Sequence, residues 1–372
     1  MRAATIGFLA GLAATVALSA SAAAPAATSR PATEAQLQGA VERLIGLGIP
    51  GAIALVRTEG GTTRVARGYA DAARKTPIRV TDRFRIGSLT KTFVSAVALQ
   101  LVGEGTISLA DTVDRWLPGL VPNGRRITVR ELLDMRAGLY DYLNQDQTIV
   151  NRYIAGDLSH RYTPQELVGL STRHEPNFAP GAGYAYCNTC YILLGLIVEK
   201  ATGHALAAEL QSRIFGPLHL RHTTLDTQPL ITGPHAHGYV WLGKARLDVS
   251  VASPTPAWAA GAIVSTVADL DRFFGALNGG RLLEPSLLRA MTTPTRASHG
   301  YGLGYARTQT PHCGTLWWNN GNYLGYNASA FGSPGGGRQL ILFVNLDESN
   351  LTAARSRALN QVLFTALCGG SP

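Results

Sequence analysis

The chain has 372 residues, of which 46% are hydrophobic and 15% are charged, a composition that excludes a wholly disordered polypeptide. Its net charge of +9 and its pI near 9.6 favour contact with anionic surfaces such as a cell wall. A nucleic-acid partner is not expected, because the arginines are scattered and no recognition motif occurs.

The first residues are typical of a secretory signal peptide. A basic start at Arg2 precedes an apolar run over 3–18, and small residues follow. We expect cleavage within 22–27, so that residues 1–27 form the signal peptide and the mature protein is secreted. The apolar run is too short and too rich in alanine to span a bilayer, so no stable membrane anchor is expected.

Hydrophobic patterns at the two ends of the mature chain predict one antiparallel sheet. A helix pattern at 34–47 precedes strand patterns at 51–57 and 62–70, which are joined by a glycine-rich turn. Near the other terminus lie three further strand patterns and a closing helix, at 315–319, 326–332, 338–346 and 351–367. The intervening chain carries mainly helical patterns, at 129–135, 163–171, 191–203 and 265–277.

The predicted fold class is therefore α+β, with an antiparallel β-sheet flanked by N- and C-terminal helices plus an inserted, mainly helical lobe. Residues 28–85 and 262–372 would form the sheet lobe, and residues 86–261 would form the helical lobe. An active site is expected in the cleft between the lobes. We expect the chain to act as a monomer.

Position 91 stands out because the chain carries its positive charge mostly as arginine. Four of its 33 basic residues are lysines, at positions 75, 91, 200 and 244. Lysine can lose its proton when it is desolvated, whereas arginine stays charged, so Lys91 can serve as a base. A helix beginning near Ser88 would place both side chains on its first turn, where free N–H groups stabilise negative charge. Taken alone, this S-x-x-K spacing fits an N-cap serine and a solvated lysine equally well.

The four cysteines of a secreted chain permit three disulfide pairings. Cys313 and Cys368 stand alone in their segments and would staple the C-terminal helix to a strand. Cys187 and Cys190 form a C-x-x-C pair, and the spacing leaves open whether it is bridged or free. Zinc is not expected, because a second such pair and accompanying histidines are missing. No other metal and no cofactor is expected.

Longer motifs resemble the serine β-lactamase and penicillin-recognising hydrolase superfamily. They are F-R-I-G-S-L-T-K-T-F at 84–93, I-T-V-R-E-L-L-D-M-R-A-G-L at 127–139 and P-G-A-G-Y-A-Y-C-N-T-C-Y at 180–191. The likeness covers nearly the whole mature chain and includes the C-terminal cysteine pair. It is closest to class C β-lactamases and secreted D-alanyl-D-alanine carboxypeptidases, and strongest to the carboxypeptidases.

The resemblance implies catalysis through an acyl-enzyme. Ser88 would be the nucleophile and Lys91 its base or proton relay. Tyr186, near a lysine that favours its phenolate, would carry a proton to the leaving group and later activate the water. Asn188 would hydrogen-bond the substrate's amide. A second Y-x-N at 142–144 lacks the preceding P-G and the following apolar helix, so it is interpreted as a loop.

The family's third motif, K-T-G or H-x-G, does not occur in its usual form. Counting back from Gly325 places it at Asn319-Asn320-Gly321, where Asn319 replaces the cationic residue. The alternative at 312–314 keeps the letters of H-x-G, but it lies too far upstream. Asparagine can hydrogen-bond but offers no charge to a substrate carboxylate.

The resemblance also implies three substrate-binding residues outside these motifs. Asn322 would supply the second oxyanion N–H from its backbone. Arg307 would either grip a terminal carboxylate bidentately or be a solvated surface residue. Trp258 would either wall the pocket or belong to the core.

We therefore expect a secreted D-alanyl-D-alanine carboxypeptidase that is acylated by β-lactams. Its partners would be a small peptide or β-lactam substrate and peptidoglycan. The changed third motif keeps open an esterase, a D-aminopeptidase or a β-lactamase on the same framework. A non-catalytic module that binds cell wall or penicillin is the least favoured alternative, because Ser88, Lys91, Tyr186 and Asn188 are all present.

Overall fold

The computed structural model describes residues 33–368, so the expected signal peptide lies outside the described residues. Its α-helices are α1 (Glu34–Gly46), α2 (Thr90–Gly103), α3 (Val113–Trp116), α4 (Val129–Leu133), α5 (Thr148–Ile154), α6 (Pro164–Thr172), α7 (Asn188–Thr202), α8 (Leu206–Leu210), α9 (Trp258–Gly261), α10 (Val267–Asn278), α11 (Pro285–Thr292) and α12 (Ala353–Cys368). Its strands are β1 (Gly51–Thr58), β2 (Gly61–Asp71), β3 (Thr76–Pro77), β4 (Phe84–Arg85), β5 (Thr224–Leu225), β6 (Tyr239–Leu242), β7 (Ala245–Asp248), β8 (Ile263–Ser265), β9 (Ala306–Thr310), β10 (Gly314–Tyr323), β11 (Tyr326–Gly332) and β12 (Gln339–Val344).

Seven strands from both ends of the chain form one antiparallel sheet in the order β3-β2-β1-β12-β11-β10-β9. The two ends meet in its centre, where β1 pairs with β12 and Ala52 lies opposite Val344. The pairing of β9 with β10 stops at Trp318, so residues 319–323 of β10 have β11 as their only strand partner in the described chain. The α+β class predicted from the sequence is confirmed.

Alternating side chains of β12 supply both faces of the sheet, as the period of a strand requires. Leu340, Leu342 and Val344 belong to the hydrophobic cluster beneath α1 and α12. Ile341 and Phe343 belong to the larger cluster beneath α2 and α10, which continues into the helical part of the chain. A layer of helices therefore covers each face, and α10 packs directly against β1, β11 and β12.

The division into two lobes stays a prediction. The segment 86–261 does contain α2 to α9, in agreement with a mainly helical lobe. It also supplies β5, which pairs with β8 in a small sheet ordered β4-β8-β5. Strands from both sides of the expected boundaries are therefore hydrogen-bonded to each other.

Within residues 33–368, no single helix has the length and hydropathy needed to cross a membrane. The bent pair formed by α7 and the segment Leu206–Phe215 meets the same criteria of length and composition when it is taken together. Most of α7 is buried in the protein core.

Candidate active site

Ser88 lies in a 3₁₀ turn, Gly87–Leu89, directly before α2. Gly87 has a φ of 51°, a value that glycine adopts without strain. A Cβ atom at this position would lie 2.5 Å from the backbone nitrogen of Asn322, so only glycine lets the turn approach β10 this closely. The serine is therefore presented beside the third-motif strand.

Lys91 is fully buried in the first turn of α2, and its ammonium group has three hydrogen-bond partners. It donates to Ser88 Oγ at 3.0 Å, to Asn188 Oδ1 at 2.8 Å and to the Ala260 carbonyl at 2.8 Å. Burial lowers the pKa of Lys91 to about 7, and the nearby Asp141 carboxylate opposes that shift. Of the three partners only the Ser88 hydroxyl carries a proton to give, so a neutral Lys91 is directed to deprotonate the serine.

The Tyr186 hydroxyl donates to Ser88 Oγ at 2.6 Å. The Lys91 ammonium lies 4.9 Å from the centre of the Tyr186 ring. Burial raises the pKa of Tyr186 well above its ordinary value, so the residue is a neutral phenol. From the resemblance, a nearby lysine was expected to favour the phenolate of Tyr186. In the resting site burial disfavours that phenolate, and the expected effect of the lysine stays a prediction.

Asn188 begins α7, and both the oxygen and the nitrogen of its side-chain amide are hydrogen-bonded. Its Oδ1 accepts from Lys91, and its Nδ2 donates to Asp141 at 3.0 Å. Asp141 is buried and also accepts from the Leu143 backbone N–H at 2.9 Å. Burial raises the pKa of Asp141, and its hydrogen bonds oppose this shift. In the structure the Asn188 amide is therefore occupied by protein groups, and its expected contact with a substrate amide stays a prediction.

Sequence reasoning missed Asp141. A signal was available, because this residue follows the recognised run 127–139 and directly precedes the second Y-x-N. The structure explains that second motif. Tyr142 is buried and donates to the Pro256 carbonyl, whereas Asn144 donates to Asp141 at 2.9 Å. The segment thus holds Asp141 beside Asn188.

The expected third motif lies on β10, next to the turn that carries Ser88. A Cβ atom on Gly321 would lie 1.9 Å from the Ile86 carbonyl and 2.7 Å from the Ser88 nitrogen. Asn319 is buried and donates to the Thr92 hydroxyl at 2.8 Å, while its Oδ1 accepts from the Asn320 N–H at 2.9 Å. The asparagine in the cationic position is therefore engaged by the protein.

The Asn322 side chain donates to the Glu348 carboxylate. Burial raises the pKa of Glu348. The Asn322 backbone and the Ser88 N–H lie on the two sides of the close contact between the turn and β10. This placement suits a pair of oxyanion donors, although the oxyanion role of Asn322 stays a prediction.

Two other expected substrate-binding residues form no hydrogen bond to Ser88 within residues 33–368. Arg307 is exposed on β9 opposite Trp317, and its guanidinium group forms no ion pair or hydrogen bond within residues 33–368. Trp258 begins α9, and its ring packs against α7, where a Cβ on Gly195 would lie 2.9 Å from it. The carboxylate-binding role of Arg307 and the pocket-wall role of Trp258 stay predictions.

Both cysteine pairs are disulfide-bonded, Cys187 to Cys190 and Cys313 to Cys368. The Cys190 N–H donates to Cys187 Sγ at 3.0 Å, so the first bridge caps α7 between Tyr186 and Asn188. The second bridge joins α12 to the hairpin between β9 and β10. Within residues 33–368, no group of three or more His, Cys, Asp or Glu side chains is arranged to hold a metal.

The sequence model of the family described as Beta-lactamase matches residues 34–363. Penicillin-binding protein 4* of Bacillus subtilis is 28% identical over 321 residues, which are 80% of this chain and 68% of that protein. A D-aminopeptidase of Cereibacter sphaeroides is also 28% identical, over 82% of this chain and 59% of its own length. The chain thus spans about three fifths of that relative.

Solved structures share the fold over most of the chain. A D-stereospecific amidohydrolase from Streptomyces sp. has a TM-score of 0.81 and 34% identity, covering 91% of this chain and 100% of its own. A D-amino acid amidase from Ochrobactrum anthropi SV3, complexed with L-phenylalanine amide, has a TM-score of 0.76 and 26% identity, covering 89% and 98%. The fold of this chain is the one found in these hydrolases.

Proposed function

The chain belongs to the Beta-lactamase family and is a serine hydrolase of that fold, and from this premise we propose that it hydrolyses amide bonds at D-amino acid residues through an acyl-enzyme on Ser88. The observation that carries the proposal is the hydrogen-bonded set of Ser88, Lys91 and Tyr186 beside a third motif without a cation. The likeness to a D-stereospecific amidohydrolase and to a D-amino acid amidase supports the D-configuration.

The first half of the reaction forms the acyl-enzyme. Neutral Lys91 takes the Ser88 proton, and Ser88 Oγ attacks the amide carbonyl carbon. Backbone N–H groups of the turn and of β10 stabilise the oxyanion. Tyr186, a phenol in the resting site, gives its proton to the leaving nitrogen as the carbon–nitrogen bond breaks. The site then holds a phenolate and an ammonium group, and their opposite charges stabilise each other.

The second half releases the acid. A water molecule gives a proton to the Tyr186 phenolate and attacks the acyl carbon, and the bond to Ser88 Oγ breaks. Lys91 returns its proton to Ser88, so both residues regain their starting states. Every proton is accounted for by the Ser88, Lys91 and Tyr186 side chains and the water.

The substrate we propose has no carboxylate next to the scissile bond. Asn319 stands where a cation would face that carboxylate, and its amide group is bound to Thr92 and to its own strand. The Lys91 amino group at the centre is already hydrogen-bonded to three protein oxygens. A neutral leaving group, such as the ammonia of an amino acid amide or an internal peptide nitrogen, suits this environment.

A D-alanyl-D-alanine carboxypeptidase that is acylated by β-lactams is the second candidate. The likeness to penicillin-binding protein 4* supports it, and so does the exposed guanidinium group of Arg307, which has no ion pair within residues 33–368. For both candidates we propose an extracellular, monomeric enzyme that acts on small peptides or peptidoglycan. An esterase or a β-lactamase stays an alternative, because either enzyme would use the same serine with a different acyl group.

The experiment compares D-phenylalanine amide, L-phenylalanine amide and N-acyl-D-Ala-D-Ala as substrates, with Ser88→Ala as the control. We expect ammonia release from the D-amide to exceed release from the L-amide, and to depend on Ser88. Faster release of D-alanine than of ammonia, with a lasting penicillin adduct on Ser88 by intact mass, would support the carboxypeptidase instead. Turnover of all substrates by Ser88→Ala would contradict both.

A further inference from the structure

A second cleft, of about 740 Å³, opens beside the start of α10, where β1, β2 and the loop before β5 come together. Its lining includes none of Ser88, Lys91 and Tyr186. Its volume is typical of clefts that hold a small molecule or a short piece of a polymer. It is therefore a candidate binding site separate from the catalytic centre.

The charge of this cleft is strongly unbalanced. Two carboxylates line it, and both are already paired: Asp271 accepts from Arg57 at 2.7 Å, and Asp269 accepts from Arg272 at 2.9 Å. Three further arginines share the same lining, namely Arg64, Arg221 and Arg281. Positive charge therefore remains after the carboxylates have been satisfied.

Arg64, Arg221 and Arg281 are exposed, and their guanidinium groups form no ion pair or hydrogen bond within residues 33–368. Each guanidinium carries five N–H donors in a planar fork that matches phosphate oxygens. Like charges that face one space repel each other, and a bound anion relieves that repulsion. The three arginines are thus free donors around a common opening.

The wall of the cleft is fixed by buried contacts. Asp269 is 1% exposed and accepts from the His222 N–H at 2.8 Å and from the Thr223 hydroxyl at 3.0 Å. These bonds tie the loop that carries Arg221 to α10. A smaller adjoining cleft shares Arg221 and His222 and adds Arg83. Asp226 also lines that smaller cleft, and Arg83 already donates to the Thr232 carbonyl, so the three exposed arginines lie in the first opening.

We propose that the cleft bounded by Arg64, Arg221 and Arg281 binds a phosphate-bearing anionic oligomer. Several guanidinium forks around one cleft can engage more than one phosphate group of the same chain. The overall charge of +9 draws such a polymer to the protein. The oligomer would hold the enzyme in place while leaving Ser88 open to its substrate.

The test measures the binding of dye-labelled linear inorganic polyphosphate by fluorescence anisotropy at several NaCl concentrations. The variant Arg64→Ala/Arg221→Ala/Arg281→Ala is compared with Arg173→Ala/Arg289→Ala/Arg296→Ala, which removes three exposed arginines elsewhere. We expect the first variant to bind at least about tenfold more weakly than wild type, with a shallower salt dependence, and the second to stay within about threefold.

If both variants bind polyphosphate equally weakly, net charge alone explains the binding and the proposal is overturned. It is also overturned if the first variant binds as tightly as wild type, because the three arginines then take no part. Labelled poly-glutamate that binds as tightly as polyphosphate overturns the assignment to phosphate. Ester hydrolysis at Ser88 and the unfolding temperature, expected to be unchanged, report on folding. Should the alanine variant unfold, Arg64→Lys/Arg221→Lys/Arg281→Lys keeps the charge but loses the forks, and we expect it also to bind more weakly.

Discussion

Lys91 and Asp141 are joined through a single side-chain amide, that of Asn188. The Lys91 ammonium donates to the amide oxygen at 2.8 Å, and the amide nitrogen donates to the Asp141 carboxylate at 3.0 Å. Because the amide is bonded at both ends, its orientation is fixed. Asp141 is therefore a positioning residue, which acts on Lys91 through Asn188 and through its own charge.

Replacing Asp141 tests that relationship. Asp141→Asn removes the negative charge that raises the pKa of Lys91, so we expect the acid limb of kcat/KM to move to lower pH. We also expect kcat/KM at its optimum to fall about 10-fold to 100-fold, because Asn188 loses its carboxylate acceptor. Asp157→Asn, at a partly exposed carboxylate paired with Arg152, serves as the control. A lower rate with an unmoved acid limb would leave Asp141 a purely structural role.

The pKa of Lys91 predicts the pH dependence of the wild-type enzyme. In the proposed mechanism Lys91 acts as the base only when neutral, and burial lowers its pKa to about 7. Below that pH we expect kcat/KM for a neutral ester to fall about tenfold per unit. Lys91→Arg, which stays protonated, should lose about 10³-fold or more in kcat/KM. Lys244→Arg, at an exposed lysine, should be unchanged. Appreciable activity in Lys91→Arg would show that another group removes the serine proton.

The two disulfides should separate activity from stability, and each is the control for the other. Cys187→Ser/Cys190→Ser releases the cap between Tyr186 and Asn188, so we expect about a tenfold loss of kcat/KM, since small misplacements of catalytic groups are costly. Cys313→Ser/Cys368→Ser opens a loop with a sequence separation of 55. We expect it to lower the free energy of unfolding by about 2–4 kcal/mol and to leave kcat/KM unchanged. Identical profiles for the two variants in urea unfolding and kinetics would refute this assignment.

Gly321 should not tolerate a side chain. In Gly321→Ala the new methyl group would lie 1.9 Å from the Ile86 carbonyl, so β10 and the Ser88 turn must move apart. We expect a loss of about 1–3 kcal/mol in the free energy of unfolding, together with most of the activity. Gly337→Ala, where the methyl group meets nothing within 4 Å, is the matched control. Full activity in Gly321→Ala would mean that this contact does not set the position of Ser88.

Asp134 is expected to lower the free energy of unfolding at neutral pH. It is 1% exposed, and neither carboxylate oxygen has a hydrogen-bonding side-chain partner within residues 33–368. Burial raises the pKa of Asp134 from 3.8 to about 6. Between these two pKa values the folded state therefore binds more protons than the unfolded state. The free energy of unfolding falls as the pH rises through this range.

Asp134→Asn removes this titration. We expect the variant to exceed wild type by roughly 1–3 kcal/mol in free energy of unfolding at pH 8, and by much less at pH 4. Urea unfolding at both pH values measures the difference. A difference that does not change with pH would show that the charge of Asp134 is not its cause.

Long elements with a clear hydrophobic period were predictable from the sequence. The strand expected at 326–332 is β11, and the helix expected at 34–47 is α1, whose Thr33 and Gln36 form a capping box. The small sheet of β4, β8 and β5 was missed, because strands of two or three residues show no period. The expected helix start at Ser88 is a 3₁₀ turn, since Gly87 takes a left-handed φ.

The residues of the proposed catalytic set could be chosen from motifs, but their electrostatic environment could not. Asp141 bonds to Asn188 from a segment 47 residues away, and no spacing rule links the two. The protonation of Tyr186 depends on burial, which a motif does not report. The position of Arg307 on an edge strand likewise follows from the register of β9 against β10.

The centre of the main sheet is made by strands from opposite ends of the chain, with Ala52 of β1 opposite Val344 of β12. During synthesis, Ser88 and its helix exist long before β10, β11 and β12 are available to complete the site. Such distant pairings form late and slowly in folding. The nascent chain should therefore remain catalytically inert until its C-terminal strands have emerged, so the order of synthesis itself delays the enzyme's activity.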